Sequence, residues 1–229
     1  MEKALYDEIK QLETTGMIKW LDKKDLPVNC SLIGSCIIWR MKRDGSSAIS
    51  KHKSCIIARY FLQILSEDYT KLFASTARFT MFRTLMSLAA HEDWEIHQFD
   101  ITGAYLKGDL EEEIYMEVLK GVDLRGQKGI VWKLEKPIYG LKQAGHQWKK
   151  KLDSMMVDLG FKKSAADDSL YVLRDAKDRL QMVVLAYVDD TIPAGPNLDQ
   201  IVHFKKDFGA HLEITNLGEI HHILGICVT

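Results

Sequence analysis

The sequence is poor in cysteine and proline, and it has no long uninterrupted apolar run. Its four cysteines among 229 residues form no CxxC pair, so neither a zinc site nor a disulfide framework is predicted. The apolar runs are far shorter than the roughly 20 residues that a membrane-spanning helix needs. Acidic residues close to the amino terminus are unlike a secretory signal. These absences predict an intracellular protein with no membrane contact.

The chain also lacks a strong net charge, since its formal charge is -1 at pH 7. The basic residues are nevertheless clustered, with six Lys or Arg against one acid in residues 38–59 and again in residues 133–151. Two such stretches suit a nucleic-acid channel, although a solvated charged face is the alternative. No internal repeat or Pro/Gly-rich linker divides the chain, so a single domain is predicted.

Apolar spacing predicts both helices and strands along the chain. Helices are predicted at residues 2–17, 79–90, 141–159 and 197–208. Strands are predicted at residues 35–42, 53–61, 94–100, 114–118, 130–134, 170–173 and 182–188, with a closing hairpin of 213–215 and 223–228. We expect an α+β fold in which helices lie on one side of a largely antiparallel sheet.

A pair of adjacent acids follows the apolar strand that ends near Tyr187. Asp189 and Asp190 come where burial should begin, and ionised carboxylates are costly to desolvate unless a cation or hydrogen bonds offset the cost. Neighbouring strand residues point to opposite faces, so both acids serve one site only if a tight turn falls on them. Asp-rich turns are common, and an ordinary turn is the alternative to a metal site.

A third acid ends an earlier predicted strand. Residues 94–99 alternate apolar and polar side chains and lead directly into Asp100. Two like charges about 4 Å apart repel by roughly 4 kcal/mol at an effective dielectric of ~20, so three converging acids would need divalent cations. Hard oxygen ligands select magnesium or manganese, and a pair of such ions serves phosphoryl transfer.

Four segments carry a more specific signal: FDITGAYLKGDL (99–110), EEEIYME (111–117), PIYGLKQAGHQW (137–148) and AYVDDTIPAG (186–195). In order and spacing they resemble the polymerase motifs of copia-type retrotransposon reverse transcriptases. Residues 39–45 and 53–59 resemble the fingers strands of that family, and residues 217–219 and 223–226 resemble its primer grip. The resemblance covers nearly the whole chain.

This resemblance implies an RNA-directed DNA polymerase with an α+β fold. It implies a palm and fingers, with an antiparallel palm sheet backed by helices, and the thumb absent. Residues 1–92 would form the N-terminal helix and fingers. Residues 93–229 would be mostly palm, with a fingers insertion and a C-terminal primer-grip hairpin.

The resemblance also assigns expected roles to individual residues. Asp100, Asp189 and Asp190 would be the catalytic carboxylates and, with Ile101, would hold two Mg²⁺ or Mn²⁺ ions. The expected nucleotide-binding residues are Thr102, Gly103, Ala104, Tyr105, Gly140 and Lys142. Tyr105 would exclude a 2′-hydroxyl beneath the incoming sugar, with a core tyrosine as the alternative. The expected primer and template contacts are Tyr187, Leu224 and Gly225, although an apolar hairpin with glycine is also ordinary structure.

The partners implied are an RNA or DNA template-primer, deoxynucleoside triphosphates, and other parts of the Pol polyprotein, with integrase and RNase H outside this chain. The implied location is the cytoplasm, in virus-like particles. Two alternatives remain: an inactive, truncated remnant that at most binds nucleic acid or a partner, and an unrelated two-metal nuclease or cyclase. Pro193 departs from a regular strand, and its missing N–H predicts an edge or a bulge there.

Overall fold

The computed structural model describes residues 2–28, 30–43, 49–59, 63, 74, 76–119, 129–223 and 225–228. The fold is mixed α/β. The chain forms two compact units, one of Met1–Phe73 with Tyr105–Trp148 and one of Ala74–Ala104 with Lys149–Thr229. In the described part of the chain, no helix is both long and apolar enough to cross a membrane.

The elements follow one another in chain order. The helices are α1 (Glu2–Thr14), α2 (Phe79–Glu92), α3 (Ala144–Asp158) and α4 (Leu198–His211). The first strands are β1 (Ile18–Asp22), β2 (Leu32–Ile33), β3 (Ser35–Arg43), β4 (Ile49–Ala58), β5 (Glu95–Ile101), β6 (Ile114–Glu117) and β7 (Ile130–Leu134). The remaining strands are β8 (Lys162–Lys163), β9 (Leu170–Arg174), β10 (Leu180–Tyr187), β11 (Asp190–Gly195), β12 (Ile214–Glu219), β13 (His222–Ile223) and β14 (Ile226–Cys227).

The first unit is built on a four-stranded sheet in the order β1-β7-β6-β2. Helix α1 buries Leu5, Ile9 and Leu12 in the core of this unit, because residues three and four apart share one helix face. Trp132 of β7 is fully buried and meets Trp20 edge to face, with ring centroids 5.6 Å apart. The long strands β3 and β4 pair separately as an antiparallel hairpin.

The second unit is built on a six-stranded antiparallel sheet in the order β12-β5-β11-β10-β9-β8. Phe99 of β5 packs on Phe208 of α4, with ring centroids 5.1 Å apart. On the opposite face, Ile192 of β11 clusters with Phe82 and Leu85 of α2. The expectation of helices on one side alone is therefore wrong for this sheet. Its central strands carry apolar side chains on both faces, and both need cover.

The predicted closing hairpin is also wrong in its pairing. Residues 213–215 fall at β12, which joins the six-stranded sheet beside β5, with Ile214 opposite Ile101. Ile223 instead pairs with Ile226 in the antiparallel β13–β14 hairpin. The strand β5 offers a free edge with many more hydrogen-bonding groups than the short β13, so β12 pairs there.

Pro193 lies in an interior strand, where neither an edge nor a bulge accounts for it. Its pairing with Val184 of β10 belongs to an unbroken register. On the other side, Thr191 pairs with Phe99 of β5 and Ala194 pairs with Ile96 in the same register, but the ladder has no pair at Pro193. The missing N–H is thus accommodated by a gap in the β5 ladder.

Candidate active site

The acid pair lies at a tight turn between β10 and β11. Tyr187 and Asp190 are the last paired residues, so Val188 and Asp189 form the two-residue connection. Val188 has φ 60, a left-handed conformation that a β-branched residue rarely adopts. Such backbone strain costs of order 1–3 kcal/mol and clusters at functional sites. The tight turn that both acids would need to serve one site is therefore present.

The end of β5 brings the third acid beside this turn. Asp190 of β11 is directly opposite Asp100 of β5 in the antiparallel register, which places their Cα atoms about 4.5–5.5 Å apart. The backbone N–H of Ile101 donates a hydrogen bond to the carbonyl of Asp189 at 2.9 Å. All three acids therefore lie where β5 ends and β11 begins, at the ends of interior strands, and this end of the six-stranded sheet is called the acid edge below.

Gln98 is a member of this site that the sequence interpretation missed. It lies two residues before Asp100 and hence on the same face of β5. Its Nε2 donates to Oδ1 of Asp190 at 2.7 Å, and the side chain is buried. The period of two along β5 places Gln98 on the face of Asp100, but only the register between β5 and β11 makes it a partner of Asp190.

Burial raises the pKa of Asp190 above its ordinary range. The hydrogen bond from Gln98 opposes this shift in part, and the negative charge of Asp189 adds to it. Among the residues that the structure describes, no cationic side chain contributes to the shift. A carboxylate in this state would be stabilised by a bound cation.

The donor chemistry at this edge suits a hard divalent cation, since the three acids offer carboxylate oxygens. Among the residues that the structure describes, no three His, Cys, Asp or Glu side chains are arranged to hold a metal ion. The backbone thus gathers the acids at one edge without closing their side chains into a ligand shell. Mutual repulsion of like charges favours such an open arrangement.

The segment after Asp100 turns sharply away from the sheet. The N–H of Thr102 donates to the carbonyl of Glu213 at 3.0 Å. Gly103 has φ +65, a conformation that glycine adopts at no steric cost. Ala104 is buried at the start of a 3-10 helix that runs to Lys107. The chain therefore turns sharply after Asp100, while a role of this segment in phosphate binding stays a prediction.

Three of the expected nucleotide-binding residues belong to the first unit. Tyr105 packs on the core of that unit and meets Tyr139 edge to face at 5.8 Å. Gly140 has φ +87, and a Cβ there would lie 2.3 Å from the carbonyl oxygen of Ala58, so only glycine fits. The backbone N–H of Lys142 donates to the side chain of Gln63 at 2.8 Å, and its Nζ donates to the carbonyl of Gln63 at 3.2 Å.

The expected primer contacts belong to the second unit. Tyr187 is half-buried and packs on the apolar cluster beneath α2. Gly225 lies between β13 and β14 with φ +80, as a tight turn requires. Leu224 lies outside the described residues.

Comparison with known families shows to which family the chain belongs. The family profile described as "Reverse transcriptase (RNA-dependent DNA polymerase)" matches residues 19–229. The chain belongs to this family. A curated relative, the Retrovirus-related Pol polyprotein from transposon TNT 1-94 of Nicotiana tabacum, is 34% identical over 226 residues, or 98% of this chain. The corresponding polyprotein from transposon RE1 of Arabidopsis thaliana is 28% identical over 200 residues, or 87% of this chain.

These matches confirm the resemblance to copia-type reverse transcriptases. The chain spans 17% of the length of the tobacco polyprotein and 14% of the length of the RE1 polyprotein. The reverse transcriptase region is thus one part of each of those relatives.

Proposed function

We propose that this reverse transcriptase chain adds deoxynucleotides to a primer 3′-hydroxyl on an RNA or DNA template by two-metal nucleotidyl transfer. The observation that supports this most is the register of Asp190 opposite Asp100, with Asp189 held to Ile101 by a backbone hydrogen bond. In this proposal the six-stranded sheet is the palm. The β3–β4 hairpin is part of the fingers.

Asp100, Asp189 and Asp190, with Ile101, would hold the two Mg²⁺ or Mn²⁺ ions. Bound ions of this kind lower the pKa of the attacking hydroxyl and neutralise the charge of the triphosphate. Gln98 would orient the carboxylate of Asp190 through its hydrogen bond. Catalysis would then come mainly from positioning and electrostatics.

Other residues would bind the nucleotide and the primer. The backbone of Thr102, Gly103 and Ala104 would lie along the triphosphate, and Tyr105 would exclude a 2′-hydroxyl. Its edge contact with Tyr139 would hold the ring in place. The remaining contacts would be Gly140 and Lys142 at the templating base pair and Tyr187, Leu224 and Gly225 at the primer.

The chain would act as part of a larger Pol polyprotein, as the names of its relatives suggest. Integrase and RNase H parts of that polyprotein would be its covalent partners. We place this activity in the cytoplasm, within virus-like particles.

A second candidate is an inactive remnant that binds nucleic acid without polymerising. One observation favours it, namely that the side chains of the three acids are not arranged as a metal ligand shell. Extension of a labelled DNA primer on an RNA template, with all four deoxynucleotides and Mg²⁺, separates the two candidates. We expect products longer than the primer that need both the template and Mg²⁺. No extension with Mg²⁺ or Mn²⁺, despite measurable binding of primer-template, would favour the remnant.

A further inference from the structure

Lys205 of α4 is a buried lysine that the proposed mechanism does not use. Only 5% of its surface is exposed. Its Nζ lies 2.9 Å from Nδ1 of His97 on β5 and 2.8 Å from Oδ1 of Asn216 on β12. One ammonium group thus joins a helix to two neighbouring strands of the six-stranded sheet. These three residues are called the Lys205 cluster below.

The Lys205 cluster is costly for the fold. Burial lowers the pKa of Lys205 to about 8, and among the described residues no carboxylate offsets this shift. A buried cation without a charge partner destabilises the folded chain, and an apolar side chain in its place is often more stable. Groups that lower stability in this way cluster at functional positions. A role beyond packing is therefore expected for Lys205.

His97 is a neutral partner in this cluster. Burial and the charge of Lys205 lower the pKa of His97, and together they outweigh the opposite effect of Glu95 and Glu219. The ring is therefore neutral near pH 7, and its Nδ1 accepts a hydrogen bond from Lys205.

Asn216 lies where β12 departs from a regular ladder. Asn216 is opposite Phe99 and Gly218 is opposite Gln98, so Leu217 is an extra residue in β12. Oδ1 of Asn216 also accepts a hydrogen bond from the N–H of Gly218 at 3.1 Å. A bulge of this kind bends its strand and sets the direction in which the chain continues. Lys205 therefore holds the side chain that fixes the bulge.

The bulge lies between the acid edge and the β13–β14 hairpin. On one side of the bulge, Thr215 of β12 is opposite Asp100. On the other side, the N–H of Ile220 donates to the carbonyl of Ile96 at 3.1 Å, and Ile223 of β13 is buried in the apolar cluster beneath α2. The bulge thus determines where the chain leaves β12 for the hairpin.

We propose that Lys205 is a positioning residue for primer binding. It holds Asn216 and hence the bulge, and the bulge places the β13–β14 hairpin relative to the acid edge. Lys205 itself touches neither the primer nor a metal ion. This proposal rests on the proposed function, which assigns primer contacts to the hairpin.

Amide hydrogen exchange of the whole chain at pH 7, followed by NMR, tests whether Lys205 fixes the bulge. In Lys205→Met we expect at least about fivefold faster exchange of the N–H groups of Gly218 and Ile220, because the bulge opens locally. The N–H of Ala186, hydrogen-bonded across the sheet at 2.9 Å, is the internal control and should exchange at the wild-type rate. Lys206→Met, which removes an exposed charge from the same helix, should change none of these rates.

Binding of primer-template provides the second arm of the test. Lys205→Met should raise the Kd and the KM for primer-template about tenfold, the effect of one lost hydrogen bond from a charged group, and leave kcat near the wild-type value. Asn216→Leu removes the same contact from the exposed side of β12 and should match it. Asn216→Asp keeps the acceptor, so its affinity should equal that of the wild type. Lys206→Met controls for the loss of one positive charge in nucleic-acid binding.

The outcomes separate this proposal from the proposed function. Unchanged exchange of Gly218 and Ile220 in Lys205→Met would overturn the proposal, as would faster exchange with unchanged affinity for primer-template. An equal loss of affinity in Lys206→Met would also overturn it. Binding without extension by the wild type would contradict the proposed function alone, because exchange and affinity still decide the role of Lys205. No binding of primer-template by the wild type would overturn both.

Discussion

Two carboxylates of the second unit, Asp153 and Asp190, lie in opposite electrostatic settings. Asp153 on α3 accepts hydrogen bonds from Lys149, from Lys163 at 2.7 Å and from the hydroxyl of Tyr171 at 2.6 Å. Burial alone would raise the pKa of Asp153, but these three hydrogen bonds hold it below its ordinary value. Asp190 has a hydrogen bond from Gln98 and a neighbouring negative charge, and burial raises its pKa.

The difference separates a structural carboxylate from a candidate catalytic one. Lys149 and Lys163 balance the charge of Asp153 within the protein, so this carboxylate needs no bound metal ion. Asp190 is half-buried, no cationic side chain among the described residues contributes to its pKa shift, and the turn beside it contains the strained backbone of Val188. Strained backbone and unfavourable charges that lower stability cluster at functional sites. We therefore expect the two carboxylates to respond to substitution in opposite ways.

The largest expected effect is on polymerisation. Asp100→Asn or Asp189→Asn should reduce primer extension by several orders of magnitude, because each removes a charge that would hold the metal ions. Asp153→Asn is the matched control, and at a temperature where it is folded it should stay within a few fold of the wild type. Single-turnover incorporation of one nucleotide measures this effect. If the acid-edge variants retain wild-type rates, the assignment of the site is wrong.

A smaller loss is expected when the partner of Asp190 is removed. Gln98→Leu should lower the incorporation rate by about 10- to 100-fold, the range found when a hydrogen bond to a metal ligand is lost. Gln181→Leu, in the same sheet on β10, is the control and should leave the rate near that of the wild type. The same single-turnover assay applies, at several Mg²⁺ concentrations. A Gln98→Leu rate equal to the control would show that this hydrogen bond does not position Asp190.

The free energy of unfolding should respond the other way round, with a larger loss for substitution of Asp153 than for substitution of Asp190. Asp153→Asn should lower the free energy of unfolding by about 2 kcal/mol, because Lys149 and Lys163 lose their charge partner in a partly buried site. Asp190→Asn should leave the free energy of unfolding unchanged or raise it slightly, since it removes a charge that is unfavourable when buried. Urea unfolding at pH 7 measures both. Equal destabilisation by the two substitutions would break the contrast between the two carboxylates.

Lys205 gives the most gradual effect. This lysine of α4 is buried, and its Nζ lies 2.9 Å from Nδ1 of His97 and 2.8 Å from Oδ1 of Asn216. An ammonium group can only donate, so Nδ1 of His97 is the acceptor. Burial lowers the pKa of Lys205 from 10.5 to about 8.

The sign of its pH dependence follows from this shift. Between pH 8 and 10.5 the unfolded chain retains a proton that the folded chain has lost, so the free energy of unfolding rises with pH in this window. Lys205→Met should remove that contribution, and the stability of the wild type relative to the variant should increase as the pH is raised. Urea unfolding at pH 7.5, 9 and 10 checks the trend. Parallel curves for the two proteins would contradict it.

Much of the site could be predicted from sequence because its chemistry is local. Asp189 and Asp190 follow an apolar strand, and Asp100 ends an alternating one, so the turn and the strand end could both be recognised. Gln98 could not be recognised as a partner, because a polar residue on an alternating strand is also typical of a solvated face. Its role depends on the register between β5 and β11, which no local pattern encodes.

Strand pairing was the part of the fold that sequence reasoning missed most clearly. Residues of β12 carry turn-forming and polar side chains, and their place beside β5 depends on a contact between segments more than 100 residues apart. The same limit applies to Pro193, whose missing N–H is accommodated by a gap in one ladder. Whether a segment forms a helix or a strand depends largely on its local sequence, whereas the strand with which it pairs depends on the whole sheet.

Binding of Mn²⁺ tests directly whether the acid edge of the six-stranded sheet is a divalent-cation site. Water-proton relaxation in a Mn²⁺ titration detects bound ions even when they bind weakly, and it needs neither primer nor nucleotide. We expect saturable enhancement for the wild type and for Asp153→Asn, and loss of that enhancement when Asp100→Asn and Asp189→Asn are combined. Equal enhancement in the wild type and the combined variant would contradict it, as would no enhancement in the wild type.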